Sequence, residues 1–302
     1  MLHALAVLVA ALLAVSGCAP SIDKLKPALA ADDSGTVWFA SGETVISGDL
    51  RFPSGAGPFP AVVLMHGCGG VGNAEGGWVD PLRRAGHATF VVDSLTGRGF
   101  REVCTNALAL PANRRIPDAY AALRILATHP KVDRNRVVLM GFSHGGIVTL
   151  RGATVWAREQ YAKDGPTFRA FLPFYPYCNT RFPEMDRIAG PVRIHTGELD
   201  DWTPARPCEE LVARLAASGQ DARITVYPGA HHSFDNVGRP VMRLPDVDSG
   251  AGCRFVLPTI TASPGAEEIR ACLTKGATIG WSPEATEQAR KNVIGQLAEL
   301  LR

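Results

Sequence analysis

A serine flanked by glycines is the most informative feature of this sequence, in the hexapeptide Gly-Phe-Ser-His-Gly-Gly at 141–146. A largely apolar run, 136–140, precedes it, and a small-residue segment suited to a helix, 145–157, follows. G-x-S-x-G between a strand and a helix is typical of a sharp turn that exposes a serine hydroxyl as a nucleophile. Because glycines lack a β-carbon, they let the strand and the helix approach closely. The sequence therefore predicts a catalytic Ser143.

A serine hydroxyl is a poor nucleophile at neutral pH, so it needs a general base, and the base needs an orienting carboxylate. Beyond Ser143 both occur on loops that follow strand-like runs, at 192–195 for the carboxylates and 224–227 for the histidines. The candidates are Glu198, Asp200 and Asp201 for the acid, and His231 and His232 for the base. Residue type and position alone leave these alternatives open.

The rest of the chain supplies the elements that must position these side chains. Strand-like runs occur at 37–39, 45–52, 61–65, 88–92, 137–140, 170–174, 192–195 and 224–227. Helix-like segments occur at 78–85, 117–128, 145–157, 205–217 and 283–301. Strands without polar alternation, separated by helices, are typical of a mostly parallel sheet covered on both faces. We therefore predict an α/β fold that begins with a β-hairpin.

Composition excludes some classes of function. The 302 residues are 46% apolar and 20% charged, and we expect one large domain over 34–302. The net charge is +2 and no basic cluster occurs, so nothing favours nucleic-acid binding. No C-x-x-C or Cys/His cluster has the spacing of a zinc site, and we expect neither a metal nor another cofactor. Residues 235–282, rich in Gly, Pro and Ser, predict an irregular insertion that overhangs the active site.

The amino end has the pattern of an export signal. An apolar run at 4–15 is too short to span a bilayer comfortably and reads as the core of a signal peptide over 1–17. Val-Ser-Gly-Cys at 15–18 resembles a bacterial lipobox, so we expect a lipid on Cys18 and a tether over 18–33. The protein would then face the periplasm or the cell exterior, anchored to a membrane. The alternatives are cleavage near 28–30 and a buried amino-terminal helix.

Besides Cys18, the seven cysteines leave an even number, and export permits disulfides. The sequence does not fix their pairing, and buried free thiols are the alternative. We favour two bonds between loops that follow neighbouring strands, and a third that closes a short loop in the insertion. The favoured pairs are Cys68 with Cys104, Cys178 with Cys208, and Cys253 with Cys272.

Several segments together resemble the dienelactone hydrolase family of the α/β-hydrolases. They are HGCGG at 66–70, VDSLTGRGF at 92–100, DRNRVVLMGFSHGG at 133–146, GELDDWTP at 197–204 and YPGAHHSF at 227–234. The resemblance implies an α/β-hydrolase fold with a triad in the chain order serine, acid, histidine. Its G-x-x-D-x-x-x-P turn selects Asp200 as the acid. Its Y-P-G-A-x-H-x-F loop selects His232 as the base.

The resemblance also implies an oxyanion hole made by the backbone N–H groups of Cys68 and His144. The enzyme that gives the family its name has a cysteine nucleophile, whereas this chain has Ser143. A nucleophilic thiol at Cys68 is the alternative, but Cys68 lacks the strand–turn–helix context. Arg98 follows the strand at 88–92 and is a candidate to bind a substrate carboxylate. An ion pair that holds the loop is the role that we favour for Arg98.

These observations predict a serine hydrolase that cleaves a small-molecule carboxylic ester by acyl transfer. A peptidase of the prolyl-oligopeptidase type is the alternative within enzymes, and activity on peptide amides rather than esters would distinguish it. A catalytically silent, lipid-anchored binding protein of the cell envelope is the alternative outside enzymes. It would be inert toward a broad panel of esters. The sequence makes no prediction about the oligomeric state.

Overall fold

An eight-stranded sheet organises the computed structural model, which describes residues 19–302; the predicted signal peptide and Cys18 lie outside the described residues. The strands of the chain are β1 (Gly35–Ser41), β2 (Thr44–Arg51), β3 (Phe59–Met65), β4 (Ala88–Asp93), β5 (Val132–Phe142), β6 (Ala170–Phe174), β7 (Thr180–Arg181), β8 (Val192–Gly197), β9 (Ala222–Tyr227), β10 (Met242–Ser249), β11 (Phe255–Val256) and β12 (Thr274–Ile279). The order in the large sheet is β1-β2-β4-β3-β5-β6-β8-β9. The first two pairings are antiparallel and the others are parallel, which confirms the predicted mostly parallel sheet and its opening hairpin.

Helices cover both faces of this sheet. They are α1 (Asn73–Arg84), α2 (Ile116–Leu126), α3 (His144–Gly152), α4 (Val155–Tyr161), α5 (Ala205–Ala217), α6 (Ala266–Cys272) and α7 (Pro283–Leu300). On one face, α2, α3, α4 and α5 bury apolar side chains against the sheet in a single cluster. On the other face, α1 and α7 form a second cluster around residues such as Trp78 and Leu297. Burial on both faces explains why the central strands are apolar throughout.

Two helices differ from their predicted bounds for local reasons. Helix α1 begins at Asn73 rather than Trp78, because the Glu75 carboxylate accepts a hydrogen bond from the Gly72 N–H at 2.6 Å and caps the earlier start. The predicted helix 145–157 is divided into α3 and α4. The Thr154 hydroxyl caps the new helix by accepting from the Ala157 N–H at 3.1 Å.

The predicted insertion, 235–282, contains short elements of its own. Strands β10 and β12 form a separate antiparallel pair, and β11 pairs in parallel with β7. After β12 the chain returns to the sheet, where the Gly280 N–H donates to the His232 carbonyl at 3.1 Å and the Ser282 N–H donates to the Phe234 carbonyl at 2.9 Å. The insertion is thereby joined to the loop that follows β9.

Disulfide bonds connect the loops around the carboxyl edge of the sheet. The structure pairs the cysteines as favoured from the sequence: Cys68 with Cys104, Cys178 with Cys208, and Cys253 with Cys272. The third bond closes the insertion across 19 residues. Within residues 19–302 no helix has the length and apolarity needed to cross a bilayer.

Candidate active site

Ser143 lies in a tight turn between β5 and α3. Its backbone has φ 53° and ψ −113°, a conformation that side-chain-bearing residues rarely adopt, and its N–H donates to the Phe174 carbonyl at 3.0 Å. The turn is tight because α3 packs directly on the sheet. A β-carbon on Gly145 would lie 2.0 Å from the Met65 carbonyl oxygen, and one on Gly141 would lie 2.2 Å from the Gly145 carbonyl oxygen. Glycine is therefore required at both flanking positions, and the serine hydroxyl is exposed at the edge of the sheet.

Three side chains form a continuous hydrogen-bonded relay at this edge. The Ser143 hydroxyl lies 2.8 Å from His232 Nε2, and His232 Nδ1 lies 2.8 Å from an Asp200 carboxylate oxygen. The second Asp200 oxygen accepts the backbone N–H groups of Trp202 at 3.0 Å and Thr203 at 2.8 Å. Asp200 and His232 are both buried, so water competes little with these bonds. The geometry is that of a nucleophile, a base and an orienting acid.

The competing candidates have other partners. The Glu198 carboxylate accepts the Gly229 N–H at 2.8 Å, and the Asp201 carboxylate accepts the Thr278 N–H at 2.7 Å and its hydroxyl at 2.8 Å. His231 Nδ1 lies 3.2 Å from the Leu199 carbonyl oxygen. The structure therefore brings Asp200 and His232 to Ser143, and it directs Glu198, Asp201 and His231 elsewhere.

Aromatic side chains fix the plane of the His232 ring. The Tyr175 ring lies 4.6 Å and the Trp202 ring 4.9 Å from it, centre to centre. Tyr175 is itself held by a hydrogen bond from its hydroxyl to the Asp235 carboxylate at 2.8 Å, and Trp78 donates to the same carboxylate at 2.7 Å. Burial raises the pKa of Asp235. The base thus rotates little, because its neighbours are anchored in the core.

The expected oxyanion-hole residues frame the same hydroxyl. Among residues 19–302, no protein acceptor takes a hydrogen bond from the backbone N–H of Cys68 or of His144, so both donors are free for a ligand. The Cys68 loop is fixed twice to the segment after β4, by the disulfide to Cys104 and by a hydrogen bond from the Val103 N–H to the Cys68 carbonyl at 2.8 Å. The disulfide also leaves no thiol at Cys68, which argues against a nucleophilic role for it.

A buried arginine, Arg115, connects the two halves of this oxyanion hole. It donates to the His66 carbonyl at 2.9 Å and to His144 Nδ1 at 2.7 Å, and its side chain is inaccessible to solvent. Burial, together with the Arg115 charge, holds the pKa of His66 and of His144 well below the usual range. Both rings are therefore neutral at physiological pH, and Arg115 is the fixed positive charge beneath the predicted oxyanion hole. His66 also accepts the Ser94 N–H at 3.1 Å, which supports the expected structural role for this side chain.

Arg98 does not reach the site, so the structure corrects its candidate role in substrate binding and supports the favoured role, an ion pair. Its guanidinium binds the buried Asp118 carboxylate in a two-pronged ion pair, at 2.8 Å and 2.9 Å, and donates to the Ser94 carbonyl at 2.6 Å. This pairing neutralises the Arg98 charge within the protein and ties the side chain to its own loop. The favoured interpretation, an ion pair that holds the loop, describes what the structure shows.

Two cavities meet at Ser143. The one that we call the α3 cavity has a volume of about 250 Å³ and runs beneath the insertion, from which Phe255, Leu257 and Leu273 contribute to its wall. The other, which we call the histidine cleft, has a volume of about 530 Å³ and is lined by His232 and the glycine-rich loop at 67–72. The expected overhang of the insertion is therefore the apolar wall of the α3 cavity.

In the part of the chain that the structure describes, no cluster of side chains has the composition of a metal site.

Sequence reasoning missed several residues that shape this site. Three of them could have been found from their position, because each follows a strand end or the acid at the carboxyl edge of the sheet: Tyr175, Trp202 and Thr203. Arg115 and Asp235 carry no such signal, because they reach the site through contacts with residues far away in the sequence.

The fold is that of an α/β-hydrolase: a putative dienelactone hydrolase from Klebsiella pneumoniae of known structure superposes with a TM-score of 0.61 at 17% identity, over 88% of this chain and 98% of the other. The chain belongs to the dienelactone hydrolase family, whose family model matches residues 46–255. A probable 2-oxo-3-(5-oxofuran-2-ylidene)propanoate lactonase of a Bradyrhizobium species is 23% identical over 210 residues, 64% of this chain and 81% of that protein. A putative carboxymethylenebutenolidase of a Synechocystis species is 25% identical over 210 residues, 63% of this chain and 81% of that protein.

Substitution of Gly145 by alanine tests the close approach of α3 to the sheet. The new β-carbon would overlap the Met65 carbonyl, so we expect Gly145→Ala to lower the free energy of unfolding by about 3 kcal/mol in urea denaturation. The matched control is Gly76→Ala inside α1, where a β-carbon meets nothing within 4 Å. It should leave stability unchanged or raise it by up to about 1 kcal/mol. Equal stability of the two variants would contradict the steric explanation.

Glu75 makes stability depend on pH. Burial raises the pKa of this carboxyl to about 7 in the folded protein, above the 4.5 of an exposed glutamate. Between these values the folded state binds more protons than the unfolded state, so the stability contributed by Glu75 is lost as pH rises through about 7. We expect the unfolding free energy of Glu75→Gln, relative to the wild type, to increase on the order of 3 kcal/mol between about pH 5 and pH 8.

The measurement is urea denaturation of wild type and variant at both pH values. Glutamine keeps the acceptor for the Gly72 N–H, so the cap survives. The control is Glu43→Gln, at an exposed position between β1 and β2, whose difference from the wild type should not change with pH. A difference that is also constant for Glu75→Gln would refute the proton linkage.

Proposed function

We propose that this member of the dienelactone hydrolase family is a serine hydrolase that cleaves carboxylic esters by acyl transfer. The observation that carries the proposal is the relay from Ser143 through His232 to Asp200, with both hydrogen bonds at 2.8 Å. A serine hydroxyl needs an activating base to attack an acyl carbon, and this geometry supplies the base together with an orienting carboxylate. No metal or organic cofactor takes part in the proposed reaction.

In the first half of the reaction, the Ser143 oxygen bonds to the ester carbonyl carbon while His232 Nε2 accepts the hydroxyl proton. Asp200 keeps the His232 ring in the tautomer that can accept it and stabilises the positive charge that forms. The carbonyl oxygen becomes an oxyanion and receives hydrogen bonds from the backbone N–H groups of Cys68 and His144. The tetrahedral intermediate then collapses, the bond to the alcohol oxygen breaks, and His232 returns its proton to the departing alcohol.

In the second half, water takes the place of the alcohol. His232 removes a proton from the water as its oxygen attacks the acyl carbon of the Ser143 ester, and the same oxyanion hole holds the second intermediate. Collapse releases the carboxylic acid and returns the proton to Ser143. The buried positive charge of Arg115 stabilises both negatively charged intermediates. Arg115 binds His66 and His144, and the oxyanion forms on the other side of these two residues.

The relatives support an ester as the bond that is cleaved. One of them is described as a probable lactonase, and a lactone is a cyclic ester. The α3 cavity supports a substrate with an apolar acyl group, because it opens at Ser143 and has aliphatic and aromatic walls. Small esters with a good leaving group are therefore the first substrates to assay.

Removal of the Ser143 hydroxyl tests the proposal directly. We expect wild-type protein to hydrolyse p-nitrophenyl esters and to be labelled covalently by a fluorophosphonate probe. Ser143→Ala should lose the label and at least about a thousandfold in kcat/KM, since the nucleophile is gone while the oxyanion hole remains. Ser54→Ala, an exposed serine in the loop after β2, should behave as wild type in both assays.

The two alternatives predict different results for folded wild-type protein. Hydrolysis of peptide amides without hydrolysis of aryl esters would favour a peptidase. A protein that is inert toward a broad ester panel and unlabelled by the probe would favour a binding protein with a silent triad. Either result would overturn the proposed esterase activity.

We also propose that the protein is exported and held at a membrane through a lipid on Cys18. The apolar run at 4–15 followed by Val-Ser-Gly-Cys supports this proposal. The three disulfides support it independently, because such bonds persist in oxidising compartments outside the cytosol.

Metabolic labelling tests the anchor. In a bacterial host given an alkyne fatty acid, we expect the wild-type protein to carry the label and to sediment with membranes. Cys18→Ser should lose both properties because serine does not accept the lipid, whereas Ser21→Ala, in the same tether, should keep them. Unlabelled wild-type protein in the soluble fraction would exclude the lipid anchor.

A further inference from the structure

Arg151 is a positive charge in the α3 cavity that the proposed reaction does not use. It lines this cavity together with Ser143. Among residues 19–302, no carboxylate forms an ion pair with it, whereas Arg98 and Arg193 are paired with Asp118 and Asp221. Arg151 is half-buried, and a guanidinium that is partly withdrawn from water without a counter-ion is costly, so a bound anion would explain its position.

The few contacts of Arg151 hold it without neutralising it. One N–H group donates to the Asn113 side-chain oxygen, and Asn113 is fixed in turn by donating to the Ile260 carbonyl. The guanidinium carbon lies 5.3 Å from the centre of the Phe182 ring. Guanidinium has five N–H groups, so most of them remain available to a ligand. Burial lowers the pKa of Arg151 to about 10, which leaves it charged at physiological pH.

Helix α3 sets the distance between this charge and the nucleophile. His144, Ile147 and Arg151 line the α3 cavity and recur at helical spacing, so they lie on one face of α3. From Ser143 to Arg151 the helix rises about 12 Å, and a long helical side chain leans back toward the amino end. The guanidinium therefore lies along the cavity from Ser143, at the distance of an extended acyl chain or an aromatic ring.

No other lining group cancels this charge. Asp248 also lines the α3 cavity, but it forms an ion pair with Lys275 at 2.7 Å and accepts the Ala107 N–H at 3.1 Å. The His144 ring is neutral, because burial holds its pKa well below the usual range. Tyr177 donates its hydroxyl proton to the Gly250 carbonyl at 3.0 Å. Arg151 is therefore the uncompensated charge among the described residues that line this cavity.

The position of the base decides which part of an ester enters the α3 cavity. His232 must protonate the departing alcohol, and it lines the histidine cleft but not the α3 cavity. The alcohol therefore leaves through the histidine cleft. The acyl group lies on the opposite side of the reacting carbon, in the cavity that contains Arg151.

We propose that the α3 cavity takes an acyl group whose far end carries a carboxylate, and that Arg151 binds this carboxylate. The preferred substrates are then half-esters of dicarboxylic acids, with an apolar spacer along Ile147 and the wall of the insertion. This proposal rests on the proposed esterase function. It adds the chemistry of the acyl group and assigns specificity to a residue outside the triad.

Matched pairs of esters test the proposal in wild-type protein. We expect the p-nitrophenyl half-esters of adipic and suberic acid to have kcat/KM values about 10- to 100-fold higher than those of the same compounds with the free carboxylate converted to an amide. The difference should lie mainly in KM, since the carboxylate is bound in ground state and transition state alike. Equal values for each pair would overturn the role of Arg151, whereas absence of hydrolysis of every ester would overturn the esterase activity itself.

Three variants assign the preference to a residue. Arg151→Met should reduce the ratio of charged to amide substrate to about one, and Arg151→Lys should retain part of the preference because the charge remains. Arg206→Met, at an exposed position on α5, is the matched control and should keep the wild-type ratio. Should Arg151→Met fail to fold, the wild-type ratio and the Arg151→Lys ratio still decide the question. A wild-type ratio in Arg151→Met would exclude the proposal.

A second pair of compounds separates acyl from alcohol recognition. In para-acetoxybenzoate the carboxylate is on the leaving group, and its amide is the neutral partner. We expect the ratio for this pair to be the same in wild type and Arg151→Met, because the leaving group does not enter the α3 cavity. A preference that depends on Arg151 in this pair would overturn the assignment of the cavity to the acyl group.

Discussion

The approach of helix α3 to strand β3 is the contact on which the rest of the site depends. At Gly145 the helix backbone lies so close to the Met65 carbonyl that no β-carbon fits between them. This approach forces Ser143 into its strained conformation and aims the amino end of α3, with the His144 N–H, at the loop that follows β3. Nucleophile and oxyanion donors therefore converge because two backbones touch, and side chains only complete the arrangement.

Two arginines near this contact, Arg115 and Arg151, have different roles. Arg115 and Arg151 both lack a paired carboxylate, but Arg115 is fully buried whereas Arg151 is half-buried. Arg115 is enclosed, and its hydrogen bonds go to a histidine ring and a carbonyl, so it acts on the site only through the residues that it holds. Arg151 has one protein acceptor and faces the α3 cavity. The charge of Arg115 therefore has a structural role, whereas the charge of Arg151 is available to a ligand.

The sequence predicted the sheet, the elbow and the triad candidates well, because each of these is a local pattern. Apolar runs predicted the strands. The position after a strand end gave the candidates for acid and base, and the family resemblance selected Asp200 and His232 among them. The sequence alone did not point to Arg151, which lies inside the predicted helix 145–157, and nothing local distinguishes its charge from that of Arg98. The difference lies in Asp118, which neutralises Arg98 from a helix 20 residues further along the chain. Partners of this kind, like those of Arg115, exist only after folding.

The insertion has a consequence for how such a protein can change over evolutionary time. Its residues form the apolar wall of the α3 cavity, and its return segment bonds to the backbone of His232. Replacement of the whole insertion by another sequence would therefore release the backbone of His232 while it altered the wall of the α3 cavity. New specificity is expected to arise by point substitutions at wall positions such as Leu257 and Leu273, with both ends of the insertion kept, rather than by exchange of the segment.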